Sequence, residues 1–354
     1  MIEYNEDKLT ALEAMEQAQW LAFAPVVFQA SRALRNLGIL TAIEKRQRQG
    51  MELSEIESEC GLSTYGARVL CEAGLAAGLL FTKEGKYYNT RTASFFNNDP
   101  LTEANTDFIN DVCYNGLFDL EDSIRNGKPE GLKHFGKWNT VYEALAELPP
   151  KVRDSWFKFD HYFSDNSFGT VLPLLFEHKP SRILDIGGNT GKFAFQALEY
   201  SSEVEVGIMD LPGQLNMAKE MAKNKGLDKR MQFIQANILD ESQQVPQGYD
   251  IIWMSQFLDC FSEEQIISIL ERCSQSMQSS SRVCILEPLW DRQRFKASAF
   301  SLQMTSLYFT CIANGNSQMY HSDTFYQLVK KAGLDIESIH DGIGLCHTLL
   351  VCKK

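Results

Sequence analysis

One stretch constrains the fold of this chain more than any other: Arg-Ile-Leu-Asp-Ile-Gly-Gly-Asn-Thr-Gly-Lys-Phe, from Arg182 to Phe193. Ile183, Leu184 and Ile186 form a short apolar run of the kind found in a parallel strand buried on both faces. Asp185 lies at the strand's end, and a loop holding Gly187, Gly188, Asn189 and Gly191 leads into a helical run from Lys192 to Tyr200. Strand, glycine loop and helix in this order make the entrance to a ligand site at the carboxyl edge of an α/β sheet. Glycines let the backbone approach a ligand closely, and a helix N-terminus offers N–H groups to it. The spacing argues against a dinucleotide, which asks for Gly-x-Gly-x-x-Gly. Counting from Gly187, the third position is Asn189 and the sixth is Lys192.

Length and charge narrow the remaining classes. A chain of 354 residues is long for one domain and suggests two, and 44% hydrophobic residues is ample for large cores. The net charge of -12 argues against nucleic acid and anionic membrane as main partners. Nine cysteines are scattered without a Cys-x-x-Cys pair or a His cluster, which indicates free thiols in a reducing compartment and no metal site. The acidic start, Met-Ile-Glu-Tyr-Asn-Glu-Asp, is not a signal peptide, and no apolar run reaches membrane-span length. The expected location is the cytoplasm.

From the N-terminus, residues 6–48 carry apolar positions near helical spacing, including Leu9, Leu12, Met15, Trp20 and Phe23. Pro25 is expected to kink or restart the helix. Trp20, Phe23 and Phe28 suit a core or a subunit interface. Residues 52–95 read as a winged helix. A helix begins with Ser54 as cap and Glu57 three residues on, a second is capped by Ser63, and a hairpin turns at Glu84-Gly85. The second helix carries Arg68 but also Glu72, so it lacks the basic face of a DNA reader and fits dimerisation better. Residues 100–150 are expected to be mostly helical, with Leu117, Phe118, Leu120 and Ile124 buried. An aromatic connector, Trp156 to Phe176, then either packs between domains or forms a pocket wall for a flat apolar substrate. Phe157, Phe163, Met304 and Tyr308 are the candidate substrate contacts. The expected divisions are 1–100, 101–178 and 179–354.

Beyond Arg182, strands and helices alternate, which implies a doubly wound sheet. A second strand, Val204 to Met209, ends in Asp210, and an acid there can accept both ribose hydroxyls of a nucleoside. Leu211-Pro212-Gly213 opens the next helix. A third strand ends before Asn237-Ile238, where an amide could face an adenine edge while Ile covers the ring. A fourth strand, Tyr249 to Met254, leaves Ser255 and Gln256 at its mouth. A fifth, Arg282 to Leu286, ends in Glu287, and Asp335–His340 with Cys346–Lys353 reads as a closing antiparallel hairpin.

Asp185-x-Gly187-x-x-x-Gly191 resembles the first motif of class I S-adenosylmethionine (SAM) methyltransferases, with Asn189 in place of the usual middle glycine. Asn tolerates a left-handed backbone better than other non-glycine residues. Further blocks extend the likeness to nearly the whole chain: Phe159-Asp-His-Tyr-Phe-Ser-Asp-Asn-Ser, Asp210-Leu-Pro, Asn237-Ile-Leu-Asp and Phe257-Leu-Asp-Cys-Phe-Ser-Glu-Glu-Gln. The sequence is thereby similar to small-molecule O-methyltransferases of the plant caffeate and flavonoid and bacterial hydroxyneurosporene or acetylserotonin type. The resemblance implies a Rossmann-like domain with a seven-stranded sheet whose last strand is antiparallel, preceded by an all-α winged-helix dimerisation domain. It implies a homodimer, SAM as cofactor with S-adenosylhomocysteine (SAH) as its product, no metal, and a small aromatic substrate. Gly187, Gly188, Asp210, Leu211, Asn237, Ile238, Ser255 and Gln256 would line the SAM site. Asp usually stands where this chain has Asn237, and Asn is expected to accept a hydrogen bond from the adenine amine.

The departures concern catalysis. The family's motif after the fourth strand is Leu-His-Asp-Trp, its His being the general base; here it reads Leu258-Asp259-Cys260-Phe261. Glu287 matches one acid that orients the base, and the other falls on Met319. A carboxylate does not ordinarily titrate near neutrality, but burial and the nearby Glu287 could raise the pKa of Asp259. Three versions stay open: Asp259 deprotonates a phenol or enol for O-methylation, it hydrogen-bonds an acidic phenol, or a phenolate directs the methyl to an ortho carbon. His161 is a spare base. A SAM-sensing regulator and a SAM-fold enzyme repurposed for non-methyl chemistry are the alternatives from other classes.

Overall fold

The computed structural model describes every residue except Met1, Glu3, Ala146 and Asp165. Its contacts divide the chain into two compact units, Tyr4–Asn110 and Asp111–Lys354.

The first unit begins with helix α1, Ala11–Asn36, whose start is fixed by a capping box between Thr10 and Glu13. The helix runs through Pro25 without restarting. Met15, Trp20, Phe23 and Val26 are more than half exposed on it, so they are not core residues of this chain. Helices α2 (Ile39–Arg46), α3 (Leu53–Cys60) and α4 (Thr64–Ala76) pack round Leu34, Leu40, Ile43, Ile56 and Cys71. Helix α3 is capped by Glu52 with Glu55, not by the expected Ser54. Its only buried residue is Ile56, and that register makes Ser54 helical. Ser63 caps α4 as expected, accepting from the N–H of Gly66 at 3.1 Å. Strands β1 (Leu80–Lys83) and β2 (Lys86–Asn89) form the hairpin, with Glu84 and Gly85 both at positive φ, as a two-residue turn between twisted strands requires. Helices α5 (Arg91–Asn98) and α6 (Pro100–Phe108) close the unit.

The second unit starts with α7 (Leu120–Asn126), α8 (Val141–Ala144), α9 (Pro150–Ser164) and α10 (Phe168–Phe176). Here Phe118 and Ile124 are exposed, against expectation. Seven strands follow with helices between them: β3 (Arg182–Ile186), α11 (Lys192–Tyr200), β4 (Glu205–Asp210), α12 (Pro212–Lys225), β5 (Met231–Gln235), β6 (Ile251–Ser255), α13 (Glu263–Ser276), β7 (Arg282–Glu287), α14 (Lys296–Tyr308), α15 (Ser322–Lys331), β8 (Asp335–Ile343) and β9 (His347–Lys353). The sheet order is β5-β4-β3-β6-β7-β9-β8, parallel except for β9, which runs antiparallel to both neighbours. This is the seven-stranded Rossmann-like arrangement the alternation implied.

Strand period two sorts the core into two layers. Leu184, Ile186, Ile252 and Met254 face one way, with Ile266, Leu270, Phe325 and Leu328 of α13 and α15. Ile183, Ile251 and Trp253 face the other, with Leu172, Phe193, Ala197 and Leu215 of α10 to α12. Trp253 is fully buried, stacked on Phe193 at 4.6 Å between centroids. Order reverses between β3 and β6, because β4 and β5 lie on one side of β3 and the later strands on the other. Such a reversal opens a crevice at the carboxyl ends of the strands, where open α/β sheets bind ligands.

Candidate functional site

The glycine loop lies at that reversal. Gly187, Asn189 and Gly191 all have positive φ, at 73°, 49° and 87°. Two of the glycines have no room for a side chain. A Cβ at Gly187 would come within 2.2 Å of the Phe257 ring, and one at Gly188 within 2.6 Å of Asp185 Oδ2. The loop is tied to the next strand by Asp210, whose Oδ2 accepts from Asn189 N–H at 2.8 Å and whose Oδ1 accepts from Leu211 N–H at 2.6 Å. Burial raises the Asp210 carboxyl while those two N–H bonds oppose the rise. Asp185 is buried; its isolation from water, then the Asp210 charge, pushes its carboxyl well above the ordinary range. Asp185 Oδ2 and Ser255 Oγ are buried without a hydrogen-bond partner among the described residues. Buried polar atoms left without partners are costly, so these two mark where a polar ligand would be met.

Across the crevice, Asn237 follows β5. Its side-chain oxygen accepts from Leu239 N–H at 3.1 Å, and its own N–H is accepted by Gln243 Oε1 at 2.9 Å. Ile238 is half-buried against the core, and Gln256 at the mouth of β6 has φ 48°. The loop glycines, Asp185, Asp210, Leu211, Asn237, Ile238, Ser255 and Gln256 therefore all stand at the carboxyl edge of β3 to β6. Their chemistry fits a nucleoside with a charged tail: an acid for ribose hydroxyls, glycine backbone for the tail, and a polar side chain beside an apolar one for a base.

A second cluster is built on the 3-10 turn Leu258–Cys260 that follows β6. Glu287 ends the neighbouring strand β7, and its Oε1 accepts from Phe257 N–H at 3.0 Å and Leu258 N–H at 2.8 Å. It thus holds the backbone that carries Asp259 rather than the Asp259 side chain, whose Oδ1 accepts from the Cys260 thiol at 3.4 Å. Asp259 is 5% exposed, and burial pushes its carboxyl up to about 7. The Asp160 charge adds to that rise, and the thiol hydrogen bond opposes it. Burial and then the Asp259 charge push Glu287 well above the carboxylate range.

Helix α9 brings the Asp160 charge within range of Asp259. Its Trp156 indole donates to Tyr308 Oη at 2.6 Å, and Asp160 follows one helical turn later. Tyr308 is buried, which pushes its phenol well above the ordinary value. The buried hydroxyl of Tyr142 lies beside Cys260. Phe157 stacks on His161 at 5.7 Å, and His161 Nδ1 is 3.9 Å from Asp160 Oδ2. Phe163 instead packs on Phe159 at 5.0 Å, and Met304 is 43% exposed. Of the named substrate contacts, Tyr308 is buried and accepts from Trp156, and Phe157 and Phe163 lie in the aromatic row of α9. Met319, where an orienting acid was looked for, is buried. Sequence reasoning missed Trp156 as a partner of Tyr308, Asp160 as the second charge, and Phe257 as the ring over Gly187. Only Phe257, next to the strand end, gave a local signal. Among the described residues, no group of His, Cys, Asp and Glu could hold a metal ion.

Residues 118–335 match the O-methyltransferase domain family, more than half of the chain. The chain belongs to that family. It is a SAM-dependent methyltransferase. Residues 16–87 match the Dimerisation2-like domain. Among relatives, the L-tyrosine C(3)-methyltransferase of Streptomyces lavendulae is 22% identical over 328 residues, covering 92% of this chain and 88% of that protein. The 3-amino-4-hydroxybenzoate 4-O-methyltransferase of Streptomyces cremeus is 24% identical over 222 residues, 62% of this chain and 57% of that one. Among solved structures, the SAM-dependent methyltransferase SibL superposes with a TM-score of 0.73 at 22% identity, covering 96% of this chain and 99% of that one. Human N-acetylserotonin methyltransferase in complex with SAM gives 0.65 at 17%, covering 100% and 99%. These superpositions establish the shared fold of the family.

Proposed function

We propose that this methyltransferase acts on a phenolic or enolic oxygen of a small aromatic molecule, with Asp259 as general base. The observation that carries the reading is a buried carboxyl pushed up to about 7, on a turn beside the Trp156–Tyr308 pair. A base poised near the working pH combines a useful deprotonated fraction with real proton affinity. The cofactor supplies a methyl group already activated on a sulfonium. The protein's work is then alignment and proton removal. In our reading the loop Gly187–Gly191 and Asp185 hold the cofactor's amino-acid portion, Asp210 its ribose and Asn237 with Ile238 its adenine, while Ser255 and Gln256 complete the crevice. Glu287 positions the turn that carries Asp259, and His161 remains a secondary base candidate beside Asp160.

A second reading, methylation of a ring carbon ortho to the phenolate, is favoured by the likeness over 92% of the chain to a tyrosine C(3)-methyltransferase. The same deprotonation serves both, since a phenolate is nucleophilic at oxygen and at the ortho carbon. The test uses SAM carrying a 13C methyl group with a panel of phenols and aminophenols. Mass detects transfer, and the carbon chemical shift tells a methoxy from an aryl methyl. No transferred methyl across the panel would sink both readings in favour of a repurposed or regulatory protein.

We further read the first unit as a winged helix serving a homodimer. The exposed apolar residues of α1 and the match to a dimerisation domain support this. Sedimentation of the chain would give twice the monomer mass. A cytoplasmic location fits nine free cysteines. None of the described helices is long and apolar enough to cross a membrane.

A further inference from the structure

We infer that Asn237 reads the cofactor's adenine by donating a hydrogen bond to ring nitrogen N1, rather than by accepting one from the exocyclic amine. The inference rests on the proposed placement of adenine beside Asn237. It concerns the polarity of the contact, which the amide's surroundings decide.

A side-chain amide has one accepting end and one donating end. The N–H of Leu239 points at the side chain of Asn237 at 3.1 Å, and only the carbonyl oxygen can accept it. That contact fixes which end of the amide faces the backbone. Nδ2 is left on the other side, on an exposed residue, with no hydrogen-bond partner among the described residues. A carboxylate in this position would bond Leu239 with one oxygen and still offer the other as an acceptor. The amide offers a donor in the same place. Adenine's exocyclic amine is itself a donor, so the two would meet donor to donor. The neighbouring N1 is an acceptor and is the matching partner.

The loop cannot easily turn the amide round, because its backbone is held from behind. Arg272 on α13 is 6% exposed and directs both Nη groups at this segment. Nη2 donates to Ile238 O at 2.5 Å, and Nη1 donates to Asp240 O at 3.3 Å and Gln243 O at 3.1 Å. Asp240 N–H closes the turn onto Asn237 O at 2.9 Å, and Asn237 N–H is held by Gln243 Oε1. The Leu239 N–H therefore stays aimed at the Asn237 side chain whatever binds outside. Flipping the amide would leave that N–H facing another donor, at the cost of a lost hydrogen bond.

The test is calorimetric titration of the full chain with SAH and two analogues: 6-deamino-SAH, with hydrogen in place of the exocyclic amine, and 1-deaza-SAH, with C–H in place of N1. Wild type is expected to bind SAH and 6-deamino-SAH within about two-fold, and 1-deaza-SAH about ten-fold more weakly, the usual scale of one hydrogen bond. Asn237→Asp keeps the oxygen that accepts from Leu239, so the loop keeps its fold, and it puts an acceptor outward. In that variant 6-deamino-SAH is expected to bind about ten-fold more weakly than SAH. A wild type that already penalises 6-deamino-SAH to that degree, or a ranking left unchanged by the substitution, overturns the inference. Wild type failing to bind SAH at all would instead remove the cofactor placement on which it rests.

Discussion

In our reading the cofactor side of the crevice is made of backbone, and the acceptor side of buried side chains. On the first, Gly187 and Gly188 bring the main chain where no Cβ fits, and Asp210 ties the loop to the next strand through Oδ2. On the second, Asp259 and Cys260 of the turn, Tyr142 of α8, Trp156 of α9 and Tyr308 of α14 come from four elements and meet through their side chains. A site made of backbone tolerates little change of position, and one made of side chains is tuned by environment. The difference teaches that binding and chemistry in this protein should fail separately.

The largest expected effect lies on the backbone side. Gly187→Ala forces a Cβ against the Phe257 ring at a left-handed position, and it is expected to weaken SAH binding by roughly a hundred-fold, measured by calorimetry. Binding within two-fold of wild type would break the comparison at its strongest point.

Next in size is Asp259→Asn. It is expected to lower kcat by roughly 10²–10³-fold while SAH affinity stays within about two-fold. In wild type kcat/KM should rise with pH through about 7, as the buried carboxyl gives up its proton, and that inflection should vanish in the variant. Unchanged turnover would remove the base from Asp259 and leave His161 to be tried.

The smallest effect is on stability, and its sign follows from the raised pKa. Asp259 titrates near 4 when unfolded and about 7 when folded, so the stability it contributes is complete below the unfolded value and is lost as pH rises through the folded one. Asp259→Asn should accordingly be more stable than wild type at about pH 8, by on the order of 4 kcal/mol in urea unfolding, with the gap closing toward about pH 4. A gap independent of pH would mean that Asp259 is not the group that titrates.

The same division governs what could be read in advance. The glycine loop, the strand-end acids and the alternating strands are local patterns, and helix α11 spans the residues its sequence indicated, Lys192–Tyr200. Asp259 stood out because it takes the place of the family's general base on the turn after β6, with a residue of another type. Asp160 and Trp156 did not, because their meaning depends on partners far along the chain, Asp259 for the one and Tyr308 for the other. Burial was misjudged where hydrophobicity alone was the guide: Phe118 is 84% exposed and Ile124 62%. Apolar side chains are common on surfaces, so hydrophobic identity without a period is a weak signal. Ser54 failed as a cap for a related reason. The helix took the register that buries Ile56, and a residue with capping chemistry was left inside the first turn.

The link from Ser255 to Asp259 is short and pinned along its length. Gln256 N–H is held by Leu286 O at 2.9 Å, and Phe257 and Leu258 N–H by Glu287. In our reading the mouth of β6 borders the methyl donor and Asp259 receives the proton, so this segment acts as a ruler of fixed length between the two. An acceptor ring must place the atom that takes the methyl and the hydroxyl that loses the proton at that spacing. Regiochemistry on a ring with several hydroxyls would then be chosen by distance along one strand end, and not by which hydroxyl is most acidic.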